Sequence, residues 1–154
     1  MTAPLVVSDS SPLIVLTRIG HLDLLKNLFT QILVPPAVVR ETISVVLPEW
    51  VVQTSLTQSI GPRILRASLG PGESEAMSLA LEVNARWIIL DDRPARRLAE
   101  ALGLPVIGTL GILLAGKRRG FLFAVRPCLD ALMNIGFRMT SDLYERVIAD
   151  AGEQ

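Results

Sequence analysis

The sequence has almost none of the residues that build thiol-based or imidazole-based sites. Of its 154 residues, one is cysteine, Cys128, and one is histidine, His21. A single cysteine excludes an internal disulfide and fits a reducing compartment, so we expect a cytoplasmic protein. Zinc sites, Cys/His dyads and Ser/His/Asp triads are poor candidates for the same reason. Catalysis would therefore depend on carboxylates, hydroxyls and basic side chains.

The sequence also lacks a net charge and a long hydrophobic run. Fifteen basic and fifteen acidic residues cancel, so a nucleic acid would have to be held by a local basic patch or through metal ions. Half of the residues are hydrophobic, but charged residues interrupt every apolar run before it reaches the ~20 residues that cross a bilayer. The first residues lack the basic start of a signal peptide. We expect neither a membrane span nor export.

What the sequence does contain is a series of short apolar runs that alternate with helical patterns. A helical stripe is formed by Ala76, Leu79, Ala80 and Val83, which recur at helical spacing. Strands that are apolar on both faces and alternate with helices imply a parallel sheet covered on both sides. We therefore predict a Rossmann-like three-layer α/β/α sandwich with a central, mainly parallel sheet. The predicted strands are residues 4–8, 32–34, 87–90 and 105–107, with a possible edge strand at 50–53.

The length predicts one domain, because 154 residues are too few for two ordinary domains. We expect residues 1–154 to form this domain, with 125–154 as a C-terminal helical extension packed on it. Ser11 before Pro12 is predicted to cap the first helix, and Thr109 to cap a later one. The segment from residue 44 to 69 gives no clear helical prediction.

Acidic residues follow two of the predicted strands. Asp9 comes after the first strand, and Asp91 and Asp92 come after the strand ending at Leu90. The functional crevice of such sheets lies beyond the carboxyl ends of the strands, so these acids should emerge at one edge. Capping of the next helix is the alternative for Asp92. Two adjacent aspartates are harder to explain by capping alone.

Three glutamates are further candidates with a weaker pattern. Glu73 and Glu75 flank the predicted helical stripe on opposite sides, so either could border the crevice. Acids in a first helical turn also stabilise the helix, and this explanation is favoured for Glu75. Glu41 is ambiguous from spacing alone, and a solvated helix residue is its ordinary interpretation.

Four segments are informative when they are taken together: Ser8 to Ile14, Pro35 to Glu41, Gly72 to Ala76 and Leu90 to Arg96. They are accompanied by a turn at residues 108–111 and a C-terminal helical tail. In this order they resemble the PIN-domain family, closest to a prokaryotic PIN-like branch. The resemblance covers nearly the whole chain.

The resemblance implies a Mg²⁺- or Mn²⁺-dependent ribonuclease, commonly the toxin of a toxin–antitoxin pair. A small antitoxin protein and a homodimer are the partners that it suggests. Two features differ from many PIN proteins: Leu90 replaces Thr or Ser, and the third acid is Glu73 or Glu75 where Asp is usual. Carried over residue by residue, the metal-binding and catalytic acids are Asp9, Glu41, Glu73 and Asp92, with Asp91 as a further metal ligand.

Other side chains are candidates for positioning the attacking water or the RNA. Ser10, Ser11 and Thr109 offer hydroxyls, although Thr109 could equally serve only as a helix cap. Arg93 and Arg96, with Arg97, lie at i, i+3 and i+4 on one predicted helix beside the acids. Consecutive basic residues at 117–119 end the next predicted helix. They could contact RNA phosphates, whereas a solvated face is the ordinary alternative.

Two other functions remain open from the sequence. A PIN-like protein- or RNA-binding module without activity would keep the fold and lose the metal. An aspartyl-phosphate phosphatase using Asp9 is less favoured, because Ser11 stands where a second aspartate is needed.

Overall fold

The computed structural model describes residues 4–154, which form a five-stranded sheet in the order β3-β2-β1-β4-β5. Every neighbouring pair is parallel. The prediction of a parallel α/β/α sandwich is confirmed, including the edge position of the strand near residue 51. The strands are β1 (Val6–Ser8), β2 (Ile32–Val34), β3 (Val51–Gln53), β4 (Trp87–Ile89) and β5 (Val106–Ile107).

Helices connect the strands and continue beyond the last one. None of those between residues 4 and 154 combines the length and apolar character that a membrane crossing requires. They are α1 (Ser10–Arg18), α2 (Asp23–Phe29), α3 (Pro36–Glu41), α4 (Ile60–Leu65), α5 (Pro71–Glu82), α6 (Arg93–Ala101), α7 (Thr109–Arg118), α8 (Arg126–Asn134) and α9 (Ser141–Asp150).

Helix α5 lies at the centre of one helical layer. It packs against α3, α4 and the central strands β1 and β4. Small residues such as Gly72, Ser74 and Ala76 are buried along it and let these neighbours approach closely. The helix is therefore buried on most of its circumference, and not only on the stripe that the apolar spacing predicts. Its first turn is fixed beside the carboxyl edge of the sheet.

Two helix starts differ from the predictions. Asp9 occupies the N-cap position of α1, where its side chain makes no capping bond, and Ser11 lies inside the helix. Thr109 is the first residue of α7 and not its cap, which is Gly108. Helix α4 was not predicted, because Pro62 suggested a break, but proline is tolerated in a first helical turn.

The C-terminal helices contribute to the same hydrophobic core as the sheet. Leu129 of α8 and Ile148 of α9 are both buried in it. Glu153 then accepts hydrogen bonds from the Lys117 ammonium at 2.7 Å and from the Val125 backbone N–H at 2.6 Å. Burial alone would raise the pKa of Glu153, but these bonds outweigh it and lower the pKa to about 2. This carboxylate ties the chain end to the start of α8.

Candidate active site

The carboxyl ends of β1 and β4 bring the predicted aspartates to one edge of the sheet. Ser8 pairs with Ile89 in the parallel register, and the Asp9 backbone N–H donates to the Ile89 carbonyl at 3.0 Å. Asp9 and the Leu90–Asp92 segment therefore leave the sheet side by side. This is the position that the strand order predicts for a functional crevice.

Asp9 is buried beside other carboxylates. Only 4 % of the surface of Asp9 is exposed to solvent. Burial is the main reason that the pKa of its carboxyl rises from 3.8 to about 7, and the nearby charges of Glu73, Glu41 and Asp91 add to the effect. The backbone of Ser10 opposes the rise with a hydrogen bond. At neutral pH the Asp9 carboxyl is therefore only partly ionised, and a positive charge from outside this group would favour the ionised form.

Glu41 bridges the starts of two helices. Its Oε1 accepts a hydrogen bond from the Ser10 hydroxyl at 2.8 Å, and its Oε2 accepts one from the Gly72 backbone N–H at 3.0 Å. A Cβ at Gly72 would overlap the Glu41 carboxylate, so the close approach depends on glycine at this position. The end of α3 is thereby fixed against the beginning of α5 and beside Asp9.

Glu73 and Asp92 form a neighbouring pair. Glu73 accepts a hydrogen bond from the Gly70 backbone N–H at 3.2 Å. Burial first, and then the negative charges of Asp92 and Glu41, raise the pKa of Glu73. Asp92 also caps α6, because its Oδ2 accepts from the Ala95 backbone N–H at 3.0 Å. Asp92 therefore caps α6 through Oδ2 and at the same time lies beside Glu73.

Asp91 is held by Thr109. The Thr109 backbone N–H donates to its Oδ1 at 2.7 Å, and the Thr109 hydroxyl donates to its Oδ2 at 2.6 Å. Burial raises the pKa of Asp91 although these two bonds and nearby Arg96 oppose the change. The pair ties the end of β4 to the start of α7. Thr109 therefore donates hydrogen bonds to Asp91, whereas the sequence suggested that it positions water or phosphate.

Glu75 is separated from this group. Its Oε1 accepts from the Ala37 backbone N–H at 2.9 Å, and its Oε2 lies 3.6 Å from Arg66 and 3.9 Å from Arg40. These contacts join α5 to α3 and to the end of α4. Of the two glutamates that the sequence could not separate, Glu73 lies among the other acids and Glu75 does not.

The remaining predicted side chains lie at the margin of the site. Ser11 is exposed and, in residues 4–154, makes no side-chain hydrogen bond. Arg96 donates to the Leu90 carbonyl at 3.1 Å, so part of its guanidinium supports the end of β4. Arg93 is exposed at the start of α6, in a groove that Asp91 also lines.

The acidic group has the residue types of a divalent-cation site, but in the described residues its side chains are not arranged as metal ligands. In the described residues, no Lys, Arg or His nitrogen lies within 4.0 Å of Asp9, Glu41, Glu73, Asp91 or Asp92. Carboxylate oxygens are the ligands that Mg²⁺ and Mn²⁺ prefer. Within the same part of the chain, no three acidic, histidine or cysteine side chains are arranged as a ready-made metal site. A bound cation would therefore have to draw the carboxylates together.

Two basic residues near the site were not identified from the sequence. Arg138 precedes α9 and Arg146 lies within it, and both line the groove that contains Arg93 and Asp91. More than forty positions separate Arg138 from Arg93 along the chain. No local pattern connects them, so only the packing of the C-terminal helices shows that they meet.

Comparison with known proteins identifies the family. A family model described as a PIN domain, DUF3368, matches residues 5–153. The matched region includes all five acids of the site and the C-terminal helices. The searches of curated proteins and of solved structures gave no significant match.

Proposed function

The chain belongs to the PIN-domain family, and we propose that it is a Mg²⁺- or Mn²⁺-dependent ribonuclease that hydrolyses phosphodiester bonds of cytoplasmic RNA. One observation carries the proposal: a buried aspartate and four further carboxylates share one sheet edge, with no cationic side chain of residues 4–154 within 4.0 Å. Such a group repels both itself and a phosphate unless a cation joins it. A divalent metal ion would neutralise the repulsion between the carboxylates and would attract the phosphate.

The residues of the chain divide the work. Asp9 and Asp92 would hold the cation directly, while Glu41 and Glu73 would bind it or orient its waters. When bound, the metal activates water for in-line attack and stabilises the leaving oxygen. Ser10 fixes the orientation of Glu41 by its 2.8 Å hydrogen bond. Thr109 does the same for Asp91, a further ligand candidate, and so keeps the group in place before substrate arrives.

We further propose that the protein is the toxin of a toxin–antitoxin pair. Its partners would be a small antitoxin protein and a second copy of the chain. Exposed apolar side chains support a protein-binding surface, since large apolar patches mark interfaces. Ile43 and Val46 after α3 are 89 % and 90 % exposed, and Ile60 and Ile64 on α4 are 68 % and 67 % exposed.

The decisive experiment uses a pool of cellular RNA. The purified parent protein is incubated with the pool in Mn²⁺ and, separately, in Mn²⁺ plus EDTA. The Asp9→Asn variant is incubated with the pool in Mn²⁺. New RNA ends are then mapped by sequencing. We expect new ends only for the parent protein with free Mn²⁺. An Asp9→Asn variant that cleaves as fast as the parent, or cleavage that survives EDTA, contradicts the proposal.

An inactive PIN-like module that binds protein or RNA is the second candidate. It is favoured by the hydrogen bonds of Glu41, Glu73, Asp91 and Asp92 to the chain, which give each carboxylate a structural role. Calorimetric titration with Mn²⁺ separates the two functions. A nuclease binds the ion and loses activity with EDTA, whereas an inactive module does neither.

A further inference from the structure

A groove beside the acidic site is formed where the C-terminal helices meet α6 and α7. We call it the C-terminal groove and define it by Arg93, Arg96, Phe137, Arg138, Leu143 and Arg146. Its volume is about 560 Å³, within the range of roughly 300–1,000 Å³ found for small-ligand sites. Asp91 lines the same groove, so the groove reaches the acidic group at this residue.

Three of the four arginines that define the groove are available to a ligand, whereas Arg96 donates to the Leu90 carbonyl. Arg93, Arg138 and Arg146 are exposed, and in the described chain none has a carboxylate within 4.0 Å. Asp142 and Asp150 lie on α9 near Arg146, but neither forms such a pair with it. Unpaired guanidinium groups beside a nuclease site fit phosphate, which they bind in a bidentate manner.

The groove also contains an aromatic ring held by a fixed backbone. Gly136 adopts φ 92°, and the Phe137 N–H donates to the Leu132 carbonyl at 2.9 Å, which closes α8. Thr140 then caps α9 by accepting from the Leu143 N–H at 3.1 Å. The short connection is thus tied at both ends, and it presents Phe137 and Arg138 together.

From this combination we propose that the C-terminal groove binds a nucleotide of single-stranded RNA next to the scissile phosphate. The half-buried Phe137 ring offers a surface on which an unpaired base stacks. Arg138 and Arg146 contact the flanking phosphates, with Arg93 at the side of the acids. A duplex fits this arrangement poorly, because its bases are already stacked and their faces are covered.

The inference rests on the proposed ribonuclease function but is tested separately from it. Binding of a labelled single-stranded RNA is measured by fluorescence anisotropy in EDTA, so that no cleavage occurs, over a series of salt concentrations. The variants are the pair Arg138→Gln/Arg146→Gln and, alone, Phe137→Leu. Arg18→Gln is the matched control, because Arg18 is exposed and ends α1, eight residues or roughly 12 Å along the helix from Ser10.

The two variants should weaken binding in different ways. Loss of both arginines should raise the Kd about tenfold near 0.1 M salt and lower the slope of log Kd against log salt by roughly 0.7 for each lost phosphate contact. Phe137→Leu should raise the Kd by about fivefold or more and leave the slope unchanged, since stacking releases no counterions. Arg18→Gln should bind like the parent.

Two results overturn the inference. One is a Kd of the arginine pair variant equal to that of the control, and the other is equal affinity of the parent for duplex and single-stranded RNA. Cleavage measured with Mn²⁺ on the same proteins distinguishes the two proposals. Normal cleavage by the arginine pair variant contradicts the proposed role of the groove and leaves the proposed ribonuclease function standing. Groove-dependent RNA binding by a parent that cleaves no RNA contradicts the ribonuclease function and supports the groove as an RNA-binding site.

Discussion

Replacing Asp9 by asparagine should make the metal-free protein more stable while it removes the proposed activity. Asp9 is 4 % exposed as a residue, and its carboxyl lies among the charges of Glu73, Glu41 and Asp91. An ionised group in this position is costly, because it has lost water and gained like charges. Asparagine has nearly the same shape and carries no charge, so the variant avoids that cost.

The magnitude follows from the pKa of Asp9. Its value of about 7 compares with 3.8 for the ordinary carboxyl. Each pKa unit corresponds to about 1.4 kcal/mol, so the charged form costs at most roughly 4 kcal/mol at neutral pH. Relaxation of the neighbouring carboxylates lowers this limit. We expect the free energy of unfolding of Asp9→Asn to exceed that of the parent by about 2 kcal/mol or more at pH 8.

The sign of the pH dependence is fixed by the same comparison. Because the folded-state pKa of Asp9 is raised, the folded protein holds more protons than the unfolded chain between about pH 4 and 7. The Asp9 contribution to stability is therefore full below pH 3.8 and is lost as the pH rises through about 7. The Asp9→Asn variant should lack this loss.

Urea unfolding in EDTA at pH 5 and pH 8 measures the effect. The control is Asp142→Asn, an exposed aspartate without a salt bridge in the described residues. It should cost no more than about 1 kcal/mol, the contribution of an acid in the first turn of a helix. Saturating Mn²⁺ should stabilise the parent and the control but not Asp9→Asn. An Asp9→Asn protein that is less stable than the parent at pH 8 refutes the reasoning.

Three further variants test the supports of the site and of the fold. Gly72→Ala places a Cβ against the Glu41 carboxylate, so RNA cleavage and Mn²⁺ affinity should fall while circular dichroism stays that of the parent; unchanged cleavage speaks against a role for Glu41. Thr109→Val removes the 2.6 Å hydrogen bond to Asp91 and should lower the free energy of unfolding, measured in urea, by about 1–3 kcal/mol. The control is Thr17→Val, whose hydroxyl donates only to a backbone carbonyl. A smaller decrease for Thr109→Val than for Thr17→Val contradicts this prediction. Glu153→Ala should lower the free energy of unfolding by about 1–3 kcal/mol at pH 7, seen as a lower Tm. This difference from the parent should vanish as the pH falls from 4.5 through about 2, because the carboxylate of the parent is then protonated. A difference that persists at the lower pH is inconsistent with the bonded carboxylate.

The fold could be predicted because its signals are local. The strand β4 is a short run that is apolar in character, and the helix before it repeats apolar residues at helical spacing. Parallel order then places Asp9 and the Asp91–Asp92 pair at the same edge without any knowledge of side-chain contacts. The missed helix α4 lies in a segment where Gly61 and Pro62 interrupt the apolar pattern.

What the sequence could not show is how the acids divide their contacts. Asp91 and Asp92 are adjacent, yet one is clamped by Thr109, 18 residues away, and the other caps its own helix. Glu75 pairs with arginines that lie on other elements, although its spacing resembles that of Glu73. Thr109 and Arg40 are distant in the chain from the acids that they contact and are brought there by packing, so these contacts leave no mark on local periodicity.

Direct titration of the metal-free protein with Mn²⁺, followed by the electron paramagnetic resonance signal of the free ion, tests the central claim that this carboxylate group holds a divalent cation. The parent and Asp142→Asn should bind Mn²⁺, and Asp9→Asn should bind it at least about tenfold more weakly, the lower end of the loss seen when even residues around a metal site are changed. A parent protein that leaves the free-ion signal unchanged, or an Asp9→Asn protein that binds Mn²⁺ as tightly as the parent, would contradict the account.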